Sequence, residues 1–147
     1  SSTSRGLGDV YKRQMLNGAL AGLVAITAEP LTPTPGLAIV IGSIGALIMY
    51  FGTKMLESFG IDDVVGAIPV HMFAGIFGTL VVPISNSETS FGTQLVGTLS
   101  VCVFSFVLSY LVFLALKATV GLRISKAAEK LGTDKSEIGV TAYSIRD

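Results

Sequence analysis

GAIPVHMFAGIFGTLVV, residues 66–82, is the stretch that decides the fold. It is apolar enough to cross a bilayer, and it holds His71, the single histidine of the chain. The surrounding run Val64–Pro83 has 20 residues, with His71 as its one ionisable group. A helix rises about 1.5 Å per residue, so such a run matches a hydrocarbon core about 30 Å thick. Pro69 lies two residues before the histidine and has no N–H. The carbonyl of Val65, four residues earlier, therefore loses its usual helical donor, and a bend just ahead of His71 is expected. On an α-helix, Ala67, Ala74, Gly75 and Gly78 share the face of His71. The spacing thus projects the imidazole from a face of small residues, which let helices approach closely in lipid.

Outward from this run the chain keeps the same character. Charged residues make up 14% and apolar residues 50% of 147 residues, and the mean hydropathy is +0.71. Soluble domains carry about a quarter charged residues. Between Met15 and Leu116 the only lysine or arginine is Lys54, and the acids Glu29, Glu57, Asp62, Asp63 and Glu88 fall in gaps between apolar runs. This is the pattern of an all-α, polytopic membrane helix bundle. Gly36–Thr53 is a full span lacking charge, and Phe91–Leu116, at 26 residues, spans with tilt. Met15–Ala28 has only 14 residues and reads as the second half of a cut span. The turn EPLTPTP (29–35), the acidic linker Glu57–Asp63 and the polar loop SNSETS (85–90) separate the runs. Asp62 or Asp63 can cap the third span. Basic residues cluster after Leu116, from Lys117 to Arg146, which puts the tail 117–147 in the cytoplasm by the positive-inside rule. Counting back, the Glu29 and Ser85 loops lie outside and the Lys54 loop inside.

The first fourteen residues, SSTSRGLGDVYKRQ, are polar and unlike the apolar run that begins at Met15. They fit neither a signal peptide nor a transit helix. DVYKRQ matches the translation of a transposase-adapter end, so residues 1–14 are read as an adapter-derived stretch joined to a truncated gene.

Several chemistries are disfavoured. Cys102 is alone, so no intrachain disulfide or cysteine metal site can form. One histidine without a second ligand at helical spacing is too little for a metal, and no cofactor is implied. Ser43, Ser100, Ser105 and Ser109 show no triad spacing. Asp63 precedes His71 by eight residues, about 12 Å along a helix axis, so an enzyme using both is disfavoured. No basic stripe interleaves with aromatics, so nucleic acid is not a partner. An ionisable group inside a span is a functional candidate, and the alternative is a histidine hydrogen-bonded between packed helices. The pairs Gly18/Gly22, Gly42/Gly45 and Gly75/Gly78 read as close helix packing. Phe104, Phe106, Tyr110 and Phe113 read as lipid-facing or core, with Tyr110 and Lys117 as anchors near the inner interface.

Four segments, LNGALAGLVAITA (16–28), GIDDVVGAIPVH (60–71), GIFGTL (75–80) and TVGLRIS (119–125), resemble the ammonium transporter family, which includes the Mep and Rhesus proteins. The resemblance implies an eleven-span pore assembled as a homotrimer in the plasma (inner) membrane. This chain would be its C-terminal three and a half spans with the cytoplasmic tail. It further implies that His71, with Ala67 on its face, lines the pore beside a partner histidine on an earlier span, and that Asp63 is an acid at the cytoplasmic end of the same helix. Ammonium would be deprotonated and ammonia conducted, with membrane lipid around the bundle and a PII-type regulator as a further partner. The chain alone, lacking the other pore walls, would be inactive. An ammonium sensor acting on a cytosolic partner is the alternative. Family members often carry glycine straight after the pore histidine, where this chain has Met72. In SEIGVTAY (136–143), Ile138-Gly139 replaces a family His-Gly pair.

Overall fold

The computed structural model describes residues 2–140, with side chains from Lys12 onward. Every regular element among the described residues is helical: α1 (Ser2–Ile26), α2 (Pro35–Ser58), a π-helical turn (Ile68–Phe73), α3 (Ala74–Ser85), α4 (Phe91–Thr119), α5 (Lys126–Leu131) and a second π turn (Asp134–Ile138). Three stretches among these residues are long and apolar enough to cross a membrane: α2, the first π turn with α3, and α4. The chain is an all-α, polytopic integral membrane protein. Helix α1 has 25 residues and runs unbroken through Gln14 and Met15, so the change of composition there is not a helix boundary. The apolar run from Met15 is the second half of this longer helix.

Helix α2 starts where its sequence forces it to. Pro35 takes the first helical position, where no N–H is needed, and the Thr34 hydroxyl accepts a hydrogen bond from the Leu37 N–H at 3.3 Å. The helix continues to Ser58, so Lys54 and Glu57 belong to its last turns rather than to the linker expected there. Lys54 Nζ sits 4.5 Å from the centre of the Tyr50 ring. Ile41, Gly45, Met49, Gly52 and Leu56 form a buried stripe at spacings of three and four, the period of one α-helical face.

Helices α1, α2 and α3 pack together through very small side chains. A Cβ on Gly22 would stand 3.1 Å from the Gly42 carbonyl oxygen, and one on Gly45 2.6 Å from Ala25 Cβ. One on Gly78 would overlap the Ala25 carbonyl. Ala21, Met49, Val70 and Ala74 form the shared core, with Val24 against it. Close backbone approach of this kind is what holds helices together in lipid, where burial from water contributes nothing. At the Glu29 end the two loops are tied. The Asn86 amide donates to the Glu29 carboxylate at 3.1 Å, and the Thr32 hydroxyl donates to Ser85 Oγ at 3.3 Å.

The chain divides into two compact units, with the division inside α4 after Cys102. Helix α4 has 29 residues and none is buried, and its Phe106 and Tyr110 rings stack 6.2 Å apart. In the second unit, Ser125 caps α5 by accepting from the Ala128 N–H at 3.2 Å. Arg123 donates twice to Glu129, at 2.6 and 3.4 Å, and that hydrogen bond with its charge pushes the guanidinium above its ordinary pKa. Arg146, Asp147 and the last residues of SEIGVTAY lie outside the described residues.

Candidate functional site

The third span begins at Ile68 rather than Val64. Pro69 is the reason. It cannot donate, and the chain before it does not form an α-helical turn. Residues 62–67 instead make a tight irregular entry. Gly66 takes the left-handed conformation, φ +77°, and its N–H donates to the Asp63 carbonyl at 3.1 Å. The Asp63 side chain then turns back over the entry. Its Oδ1 accepts from the Ala67 N–H at 2.9 Å and its Oδ2 from the Ile68 N–H at 2.7 Å. Both carboxylate oxygens cap the free donors of the span, as anions at helix N-termini do. Asp62 is exposed and makes no such bond.

The carbonyl that Pro69 leaves without a helical donor has one from elsewhere. Asn17, on α1, donates its side-chain amide to the Val65 oxygen at 3.0 Å. Gly66 fits against the same side chain, since a Cβ there would stand 2.5 Å from Asn17 Nδ2. The sequence announces the missing donor but not its source, 48 residues away in the chain. Asn17 could have been noticed as the polar residue near the start of an apolar run.

His71 lies in the π turn, which is closed by the Ala74 N–H reaching the Pro69 carbonyl five residues back. Such wide turns are rare and gather at functional sites. Pro69, Val70 and Ala74 are buried, whereas His71, Met72 and Ala67 are exposed on the surface of the three-helix unit. The small-residue face expected from α-helical spacing is therefore divided. Ala74 and Gly78 turn to α1, and His71 turns away from them with Ala67. The extra residue in the π turn shifts the phase between positions 71 and 74, so residues that an α-helix would align no longer share a side. The bend expected before His71 is replaced by this turn. Gly52 of α2 seats it, because a Cβ there would run into the Phe73 ring and come within 3.2 Å of Pro69.

The geometry does not join Asp63 to His71, since both Asp63 oxygens face the backbone amides of 67 and 68. Beside that entry lies a cavity of about 250 Å³, lined among others by Asn17, Met49, Thr53, Glu57 and Asp63. Among the described residues no three His, Cys, Asp or Glu side chains gather in a way that could hold a metal ion.

Fold and site together define a polytopic integral membrane protein with an exposed imidazole on an interrupted span. The Ammonium Transporter Family matches the chain over residues 5–143. The chain is 36% identical to ammonium transporter Amt2 of Archaeoglobus fulgidus, over 86% of this chain and 31% of that protein. It is 36% identical to ammonium transporter Amt1 of Haloferax mediterranei, over 88% of this chain and 26% of that one. With ammonium transporter Amt1 of Methanocaldococcus jannaschii the identity is 32%, over 87% of this chain and 35% of the relative. The chain thus spans between 26% and 35% of the length of these relatives. The chain belongs to the Ammonium Transporter Family, a family of transporters and not of enzymes.

Proposed function

We propose that the protein containing this chain conducts ammonium across the membrane, and that His71 and Ala67 form part of its pore lining. The observation that carries the reading is the exposure of His71 on an otherwise apolar, interrupted span of the three-helix unit. A charged ammonium ion is strongly penalised when it leaves water for an apolar passage. Deprotonation at the pore removes that penalty, and ammonia passes. An imidazole supports the passage because its two nitrogens can donate and accept hydrogen bonds. The family resemblance implies a partner histidine for His71, which we place on a span outside this chain. The 147-residue chain alone then conducts nothing. Asp63 marks the cytoplasmic end of the span and serves there as its cap.

The test uses methylammonium flux in the full-length parent. His71→Ala and His71→Glu are expected to change flux or its selectivity over other cations; wild-type behaviour in both would overturn the pore role. Further parts of the reading have their own checks. A homotrimer in the plasma membrane is checked by the native mass of the solubilised parent. A cytoplasmic tail that receives a PII-type regulator is checked by nucleotide- or ammonium-dependent capture on membranes. The adapter origin of residues 1–14 is checked by independent genomic reads across Gln14.

A further inference from the structure

We propose that Asn17 is a positioning residue for His71: by donating to the Val65 carbonyl it holds the entry of the third span in the form that closes as a π turn and turns the imidazole outward. The inference rests on the reading of His71 as a pore-lining group. Three observations carry it. Pro69 removes the one backbone donor that an α-helical entry would offer to Val65, and Asn17 Nδ2 replaces it at 3.0 Å from another helix. Gly66 leaves the space that this side chain fills, with its φ of +77° bringing the Val65 carbonyl round to meet it. Asp63 takes up the Ala67 and Ile68 N–H groups on the same entry, so its polar groups are served by side chains and not by a preceding turn. The phase of the span at position 71 therefore depends on a side chain of α1. Without Asn17, the Val65 carbonyl must find water or a new backbone partner. The entry then rearranges to serve that carbonyl, which changes the direction in which the following turn presents His71.

The experiment uses the full-length parent in liposomes with Asn17→Leu and Asn17→Asp. Leucine fills the space without a donor. Aspartate keeps the shape, has no donor when ionised, and regains an O–H donor when protonated. Two readouts are taken: methylammonium flux, and the rate of diethylpyrocarbonate modification of His71 by mass spectrometry, normalised to wild type at each pH. We expect flux to fall about tenfold in Asn17→Leu, the size of one lost hydrogen bond. His71 modification should differ severalfold from wild type. In Asn17→Asp at about pH 7.5 the same change is expected, and it should shrink toward wild type at about pH 4, where the carboxyl takes up a proton. A role limited to packing would show no such pH recovery. His71 modification equal to wild type in the variants at both pH values overturns the proposal; should Asn17→Leu not fold, Asn17→Asp alone decides. A changed modification rate with wild-type flux in His71→Ala would instead place the failure in the pore reading.

Discussion

The contact between α3 and α1 gives the sharpest quantitative test of the packing, through the substitutions Gly78→Ala and Gly75→Ala. Both replace glycine in one helix, and both gain about 0.8–1.0 kcal/mol of helix propensity. They differ in what the new methyl meets. At position 75 it would stand 3.7 Å from Val24 Cγ1, an ordinary van der Waals contact. At position 78 it would lie 2.9 Å from both the Cα and the carbonyl carbon of Ala25, and closer still to the carbonyl oxygen. These are backbone atoms, so no rotamer change relieves the overlap. Helix α1 has to retreat by roughly 1 Å to restore normal carbon contacts. That opens the layer in which Ala21 and Ala74 are completely buried. Overpacking of this kind costs about 1–3 kcal/mol. Set against the propensity gain, Gly78→Ala is expected to lose about 0–2 kcal/mol and Gly75→Ala to gain up to about 1 kcal/mol. The two variants should differ by about 2 kcal/mol, a factor of about thirty in the unfolding equilibrium. SDS-driven unfolding of the parent in mixed micelles, followed by circular dichroism, measures this. Gly78→Ala as stable as Gly75→Ala would refute the close α1–α3 approach.

Asp63→Ala removes the acceptor of two backbone N–H groups and is expected to destabilise by about 1–2 kcal/mol. Asp63→Asn keeps one carbonyl oxygen and should lose roughly half of that; the same titration reads both, and equal losses would contradict a cap made by two oxygens. The isolated 147-residue chain in liposomes should pass methylammonium no faster than protein-free vesicles, and flux above that control would sink the need for further pore walls.

That the apolar runs form separate helices was legible in the sequence, because helix starts and uncharged runs rest on local chemistry. Thr34 and Pro35 start α2 as a cap and a first-turn proline do anywhere, and the uncharged run from Phe91 gives α4 without help from any neighbour. The region around His71 is different in kind. Periodicity assigns residues to the faces of one assumed helix, and α-helical period put Ala74 and Gly78 beside His71. The π turn breaks that assumption with one extra residue, and nothing in the apolar pattern records it. The cause, however, was visible. A proline in the first turn of a span leaves a named carbonyl just before it, here that of Val65, without a helical donor, and that group is served by a side chain or by water. A polar side chain at the same level on another span can serve it. Asn17 is the amide side chain in the apolar run of α1, and it is the residue the structure brings to Val65. The sequence therefore states a deficit and holds a candidate to fill it, while the pairing of the two depends on which helices lie side by side. A proline in the first turn of a membrane span is then best read together with the polar side chains of the other spans. They are where its missing hydrogen bond is made, and they set the direction of the residues after it.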